Sequence, residues 1–214
     1  MVLAKVFDAL NHTTCLRRLS VVTSRLTLNT AQSLSALVAQ CKRCLIELHI
    51  VSVGPIPDAV LGVLHEMVIR NVFLSRISVG GSAWDDAVRA SVAIDDAKMH
   101  NQRLLNKAAR FVMRLDGMPE ALPDHNCAAA FDEMCGAASL RYHLVALSGK
   151  SEAQVSLNVK RARRYLLENF MVLAGVVHAA VVCNAGVGTT QLDALNGDCW
   201  CAIAQYLKLS DVIR

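Results

Sequence analysis

The hexapeptide LRRLSV at residues 16–21 decides the fold, because it recurs twice further along the chain. LIELHI stands at residues 45–50 and LSRISV at residues 74–79, so the copies follow one another at a constant step of 29. The first, fourth and sixth positions of every copy are apolar. The fourth and sixth alternate as the buried face of a strand requires, and the first turns into the same core. A fixed step of this length predicts a stack of similar units.

The segments between the copies have helical periodicity. Leu37 and Val38 stand three and four residues after Leu34, and residues 60–68 show the same apolar pattern. Residues 4–10 predict a helix before the first copy, and residues 83–115 predict a long helix after the third. One strand and one helix cannot bury their apolar faces alone, so the units are expected to stack with their strands parallel.

This pattern resembles the leucine-rich repeats of the ribonuclease-inhibitor type over about residues 1–100. The resemblance implies an α/β, helix-rich fold: a short solenoid of parallel strands and helices, followed by a mainly helical C-terminal half. The family usually has Asn or Cys at the ninth motif position, where this chain has Ser24, Val53 and Ser82. Because the side chain of Val53 cannot bond neighbouring backbone, we expect the second turn to be irregular.

The resemblance also implies that the protein holds a protein partner on the concave face of its sheet. Along each strand, the side chains between the buried positions point to the opposite face. The residues at these positions, which we expect to bind the partner, are Arg18, Ser20, Glu47, His49, Arg76 and Ser78. The charged members and the histidine are expected to form a mixed-charge row on one exposed face.

The chain is predicted to comprise three segments: the repeats at 1–117, a helical or degenerate-repeat segment at 118–190, and a tail at 191–214. Two prolines between Gly117 and Asp124 indicate the first boundary. In the middle segment the pattern predicts a helix at 127–136, a strand at 140–147, and a helix that is N-capped by Ser151 with Glu152 in its first turn.

The tail, LNGDCWCAIAQYLKLSDV at residues 195–212, resembles the first part of an F-box, L-P-x-E-L-L-x-x-I-x-x-Y-L followed by D-L. Apolar residues at 199, 203, 206 and 207 fall at helical spacing and predict one helix face that runs from Cys199 through Leu207. In that family such a face docks on the adaptor subunit of an SCF-type ubiquitin ligase, as a helix in a groove. The resemblance implies an alternative function, a substrate-receptor fragment of such a ligase. The residues that would contact the adaptor are Leu195, Trp200, Ile203, Tyr206 and Leu207. The other interpretation is a capping helix that shields the last apolar edge of the stack.

Sequence motifs of catalysis and metal binding are missing. The chain has no nucleophile elbow, no HExxH and no paired-carboxylate motif, so we expect neither an enzyme nor a cofactor. Cys41-x-x-Cys44 and Cys199-x-Cys201 lack a second pair at the separation typical of zinc sites. Cys44 also falls on a core position of the repeat, so burial is expected rather than metal binding.

The charge of the chain does not favour nucleic acid as the partner. The net charge of +4 is too small to indicate specific nucleic-acid binding. The basic cluster at 160–164 predicts a solvated helix face, with a nuclear-import signal as the alternative.

The first residues carry charges at Lys5 and Asp8 and do not form a signal peptide. The longest apolar run, 171–183, is shorter than the roughly 20 residues that span a bilayer. A cytoplasmic protein with reduced thiols and no membrane contact is expected, with a nuclear location as the alternative.

Overall fold

The computed structural model describes residues 2–10, 15–41, 43–81, 84–117, 124–175 and 197–209. Strands alternate with helices in the first half, and the described part of the second half is helical. In chain order the elements are α1 (Val2–Leu10), β1 (Arg18–Thr23), α2 (Leu28–Gln40), β2 (Glu47–Ser52), α3 (Asp58–Arg70), β3 (Arg76–Gly81), α4 (Trp84–Gly117), α5 (His125–Met134), α6 (Ala138–Ser148), α7 (Glu152–Glu168), α8 (Phe170–Leu173) and α9 (Gly197–Ala204). The α/β, helix-rich class predicted from the sequence is confirmed.

The chain divides into two compact units. The first comprises Met1–Leu105 with Gly136–Ser139, and the second comprises Asn106–Cys135 with Leu140–Arg214. The helix α4 ends at Gly117, where the sequence predicts a boundary, whereas the division between the units falls earlier, within α4. The three-segment organisation stays a prediction.

The strands β1, β2 and β3 form one parallel sheet in that order. Arg18 lies opposite Glu47, and Glu47 lies opposite Arg76, so neighbours across the sheet are related by the same step of 29 along the chain. This offset holds for all six pairs of each ladder. The parallel arrangement predicted from the sequence step is therefore confirmed, and equivalent motif positions lie side by side.

The core of the first unit lies between the sheet and the helices. Leu48 and Ile50 of β2 are buried on the sheet side, and equivalent residues of α2 and α3 are buried on the helix side. These helix residues repeat at a step of 30, not 29: Leu34 with Leu64, and Leu37 with Met67. The step continues into α4, where Ile94 and Ala97 are buried in the same core. Equivalent buried residues therefore recur every 30 positions in the helices and every 29 in the strands.

The two periods differ because of the turn after β2. Residues 53–57 connect β2 to α3, one residue more than the four that connect β1 to α2. The connection from α3 to β3 is one residue shorter than its predecessor, so the strands keep their step of 29. The side chain of Val53 is exposed, and Ser52 Oγ donates to the carbonyl oxygen of Gly54 at 2.9 Å. The second turn is thus irregular, as expected, by one added residue.

Gly54 is required at this longer turn. Its N–H donates to the carbonyl oxygen of Ser24 at 2.7 Å, and a Cβ at Gly54 would lie 2.7 Å from that same oxygen. A Gly54→Ala variant is expected to lower the free energy of unfolding by about 1–3 kcal/mol, because backbone must move to relieve the overlap. Chemical denaturation followed by circular dichroism measures the change.

Gly62 provides the matched control. It lies on the exposed side of α3, and in the described structure a Cβ there meets no atom of another element within 4 Å. Gly62→Ala is expected to raise the free energy of unfolding by about 0.5–1 kcal/mol, through helix propensity alone. Equal effects of the same sign at both glycines would contradict the close approach at Gly54.

A buried asparagine ends α3. Asn71 donates through Nδ2 to the carbonyl oxygen of Val38 at 3.3 Å, and its Oδ1 accepts from the N–H of Phe73 at 3.2 Å. The side chain therefore bonds the end of the preceding helix and the turn that follows its own helix. The leucine-rich-repeat pattern that the sequence resembles places its asparagine or cysteine after the strand and not after the helix. Asn71 therefore could not be found from that pattern.

Asn101 repeats the position of Asn71 at the step of 30 and is again buried. Its Nδ2 donates to the carbonyl oxygens of Asn71 at 3.0 Å and Leu74 at 3.3 Å. Its Oδ1 has no hydrogen-bond partner among the described residues. The corresponding oxygen of Asn71 accepts from a turn N–H two residues on, but α4 continues through Asn101, so helix bonds direct that N–H elsewhere. The helix α4 therefore has an asparagine at the position equivalent to Asn71, but it lacks the turn that follows Asn71 at the end of α3.

The second unit has an aromatic centre. The rings of Phe111 and Phe131 stack with centroids 4.9 Å apart, and Tyr165 approaches Phe111 edge-on at 6.3 Å. These ring contacts join α4, α5 and α7.

The start of α7 has the predicted N-cap. Ser151 Oγ accepts from the N–H of Gln154 at 3.3 Å, which confirms that prediction.

The strand predicted at residues 140–147 is wrong, because this segment belongs to the helix α6. Its buried leucines, Leu140 and Leu144, are four residues apart, which places both on one helical face. A strand would have buried alternate residues instead. Short apolar runs fit either structure, and packing in the second unit selects the helix.

Among the helices described, none combines the length and the apolar character needed to span a bilayer. The apolar run at 171–183 is described only through residue 175, where Leu173 and Ala174 are buried. The rest of that run lies outside the described residues.

Candidate functional site

The sheet has one face turned away from the core, which we call the exposed sheet face. Because the ladders are in register, its side chains form three rows across the strands. The charged row is Arg18, Glu47 and Arg76; the polar row is Ser20, His49 and Ser78; the apolar row is Val22, Val51 and Gly80. The structure thus brings all six residues predicted to bind a partner onto one face, five of them exposed and Glu47 half-buried. The predicted mixed-charge row is correct for Arg18, Glu47 and Arg76 and wrong for His49, which lies two residues along β2 and belongs to the polar row. The binding role of the six residues stays a prediction.

Glu47 organises the charged row. Its Oε2 lies 3.1 Å from Arg18 Nε and its Oε1 lies 2.8 Å from Arg76 Nη1. The Glu47 side chain is 22% exposed, whereas those of Arg18 and Arg76 are 66% and 60% exposed. Exposed ion pairs of this kind contribute only about 0.2–1 kcal/mol each. Their main effect is to hold two guanidinium groups side by side, facing solvent.

The polar row contains a hydrogen bond between His49 Nδ1 and Ser78 Oγ. A serine bonded to a histidine is also part of nucleophilic sites, where a carboxylate orients the imidazole. Glu47 lies two residues from His49 on the same face, but both of its oxygens bind arginine. The polar row therefore offers hydroxyl and imidazole groups for hydrogen bonding. The carboxylate of Glu47 does not orient the His49 imidazole as the carboxylate of a catalytic triad does, because it binds Arg18 and Arg76.

The apolar row ends in an open position. Val22 is exposed, Val51 is half-buried, and a Cβ at Gly80 would meet nothing within 4 Å in the described structure. The row is therefore a two-valine ridge with a notch at β3. Sequence reasoning missed this row, although Val22 and Val51 stand at the same step of 29 and could have been found from it.

Lys98 of α4 adds a third cation at the β3 side. It lines an open depression of about 360 Å³ together with residues of the charged and polar rows, among them Glu47, His49 and Arg76. Asp95 lies 3.7 Å from Lys98 Nζ, one turn away on the same helix. The depression is open to solvent, and its lining combines these charged and polar side chains with Leu48 and Ile77 of the sheet.

The predicted adaptor-binding helix is shorter than expected. Its apolar face was predicted to run from Cys199 through Leu207, but α9 ends at Ala204 and a turn follows, in which Tyr206 N–H donates to Ile203 O at 3.1 Å. The predicted continuous helix face is therefore wrong. The next N–H, that of Leu207, donates to Ala204 O at 3.1 Å in the same turn.

The predicted adaptor residues differ in how they are placed. Ile203, Tyr206 and Leu207 are exposed, Tyr206 to 84%. Leu195 lies outside the described residues, and the side chain of Trp200 is not described. The structure therefore groups three of the five residues on one exposed stretch of the tail.

The tail is anchored in the second unit by a half-buried carboxylate. Asp132 Oδ2 accepts from the N–H of Leu209 at 3.0 Å, and Leu209 and Ala204 are buried. Burial raises the pKa of Asp132, while the bond from Leu209 and the charge of Lys208 act in the opposite direction. The end of the tail thus packs through residues other than those predicted to contact an adaptor.

Cys15, Cys41 and Cys44 lie near one another in the first unit. Among the described residues, no group of three or more His, Cys, Asp or Glu side chains could hold a metal ion. Burial raises the pKa of the Cys41 thiol, and the nearby Cys44 and Cys15 raise it further. Cys41 is buried, whereas Cys44, for which the sequence predicts burial, is half-buried.

Comparisons with protein-family models, curated proteins and solved structures find no match to this chain.

Proposed function

We propose that this protein is a leucine-rich-repeat interaction protein that binds a protein partner on the exposed sheet face. In this proposal β1 with α2, β2 with α3, and β3 with the start of α4 are successive units of a short solenoid. The observation that carries the proposal is the strand register at a step of 29, which aligns side chains of equivalent positions into three continuous rows. The buried residues at a step of 30 support the same division into units.

Binding explains the exposed sheet face better than chemistry does. Its ionic groups are already paired with one another at 2.8 Å and 3.1 Å, and the guanidinium groups face solvent. Catalytic groups usually sit in a cavity that excludes water, where their pKa values are shifted. An open, ordered surface with charged, polar and apolar rows is typical of recognition instead.

Site-specific photo-crosslinking tests the proposal. A benzoylphenylalanine residue at Ser20 or at Ser78 places the probe on opposite edges of the polar row. The matched control carries the probe at Glu66, an exposed residue of α3 on the helix side of the unit. We expect the same crosslinked partner from both face positions in cells that make the protein, and none from Glu66.

Two results would contradict the proposed function. One is crosslinking of equal intensity from Glu66 and from the face positions, which would indicate contacts without preference. The other is the absence of any crosslinked species from Ser20 and Ser78 when the variant chains are folded. Circular dichroism of each variant establishes that folding is unchanged.

The exposed tail supports a second candidate, the substrate receptor of an SCF-type ubiquitin ligase. Ile203, Tyr206 and Leu207 present apolar surface to solvent within five residues. Co-purification with the adaptor subunit is expected to be lost in an Ile203→Ala, Tyr206→Ala variant. A control with Leu147→Ala and Leu157→Ala, which removes exposed leucines of α6 and α7, is expected to keep it. No co-purification with the unaltered chain would eliminate this candidate.

A further inference from the structure

We infer that the exposed sheet face binds a short extended peptide with an acidic residue and an apolar residue about four positions apart. This inference rests on the proposed function and adds the chemistry of the partner. Three observations carry it: the excess of cations on the face, the size of the face, and the separation of its charged and apolar rows.

Cations outnumber carboxylates on the face. Arg18 and Arg76 share the one carboxylate of Glu47, and Asp95 offsets Lys98 on its own helix, so these described side chains leave an excess of one positive charge. Glu47 already shares its two oxygens between two arginines, so it holds their guanidinium groups without neutralising both. A carboxylate from a partner would meet two positioned guanidiniums and form charge-assisted hydrogen bonds.

The part of the face formed by the three described strands is too small for a folded partner. Three strands at about 4.8 Å spacing and six residues at about 3.3 Å each give a surface of roughly 10 by 20 Å. A stable interface between folded proteins buries about 800 Å² on each partner, several times this area. A single extended segment of five to seven residues fits roughly these dimensions.

The rows define where the groups of that segment must lie. Arg18 and Val22 are four residues apart on β1, as are Glu47 and Val51 on β2, so the charged and apolar rows are separated by about 13 Å. Two side chains four positions apart on one side of an extended peptide span the same distance. The apolar side chain would contact the ridge of Val22 and Val51 and enter the notch at Gly80, while the acidic side chain reaches the arginines.

The test uses a phage-displayed library of random peptides selected on the full chain. We expect enriched peptides to carry Asp or Glu and an aliphatic or aromatic residue four positions away. Fluorescence polarisation of the enriched peptides then gives Kd. Arg18→Glu with Arg76→Glu is expected to weaken binding at least about 30-fold, as loss of charge-assisted bonds at two sites would. Arg70→Glu with Arg164→Glu makes the same change in net charge on exposed helix positions and is expected to change Kd by less than about 2-fold.

Gly80→Val tests the apolar end separately. Valine is favoured in strands and nothing in the described structure opposes its Cβ, so this variant is expected to fold with unchanged or higher stability. Because it fills the notch, it is expected to weaken the same peptides. Unchanged Kd for Gly80→Val would overturn the assignment of the apolar residue to this row.

The remaining outcomes separate the inference from the proposed function. Neutral or basic peptides whose binding is lost in a Val51→Glu variant would overturn the inference and leave the face as the binding surface. Peptides whose Kd is the same in every face variant would overturn both. A selection that enriches no peptide would also overturn the inference, while crosslinking from Ser20 and Ser78 would still decide the proposed function.

Discussion

Replacing Leu64 with alanine is expected to lower the free energy of unfolding by about 2–5 kcal/mol, the usual cost of a truncated core leucine. Leu64 is fully buried in α3, in the same core as its equivalents Leu34 in α2 and Ile94 in α4. Removal of its three terminal carbons leaves a cavity beside α2 and α3, which can close only if the packed helices shift. Urea denaturation followed by circular dichroism measures the loss.

The control for Leu64 lies on the same helix. Ile69 is 47% exposed, and Ile69→Ala is expected to change the free energy of unfolding by less than about 1 kcal/mol. Both substitutions remove aliphatic side chain from one helix, so the difference between them reports burial. A loss at Ile69 as large as the loss at Leu64 would contradict the helix orientation described here.

The second large effect is expected for Asn71→Ala, at about 2–4 kcal/mol of lost stability. The substitution removes the Nδ2 donor to Val38 O and the Oδ1 acceptor of Phe73 N–H, both in buried surroundings. A buried polar group left without its partner costs about 1–3 kcal/mol, and two are affected. Thermal or urea denaturation of the full chain measures this loss.

Asn126→Ala is the matched control for Asn71. Asn126 is exposed near the start of α5, and its side chain bonds only Asp124 at 3.5 Å among the bonds described. We expect its substitution to change stability by less than about 0.5 kcal/mol. If the two asparagines gave equal losses, the buried bonds of Asn71 would not be stabilising the turn between α3 and β3.

The sequence predicts the sheet and its exposed face well because both depend on one number. The step of 29 fixes which positions are equivalent, and alternation along a strand fixes which side each faces. Arg18, Glu47 and Arg76 therefore meet in the structure as expected, although they are far apart in the chain. The ion pairs that Glu47 makes with both arginines follow from that register.

Other features depend on contacts that no local pattern contains. The segment at 140–147 is apolar enough for a strand, and only the packing of Leu140 and Leu144 makes it a helix. Asn71 looks like an ordinary polar residue at a helix end, and its importance appears only when the step of 30 is measured between buried helix positions. The tail was expected to be helical through Leu207, but the helix ends at Ala204 before a turn.

The central claim is that the constant step between the motif copies sets the register that assembles the exposed sheet face, and engineered cysteine pairs measure that register directly. Ser20 lies opposite His49 in the ladder, so a Ser20→Cys, His49→Cys chain brings two Cα atoms to about 5 Å, within the range of a disulfide. Val22→Cys with His49→Cys is offset by two residues, which adds about 7 Å along the strand. We expect mild oxidation and peptide mapping by mass spectrometry to show the crosslink between positions 20 and 49 and none between 22 and 49. A crosslink between 22 and 49 in preference to 20 and 49 would contradict the register, and with it the face on which the proposed function depends.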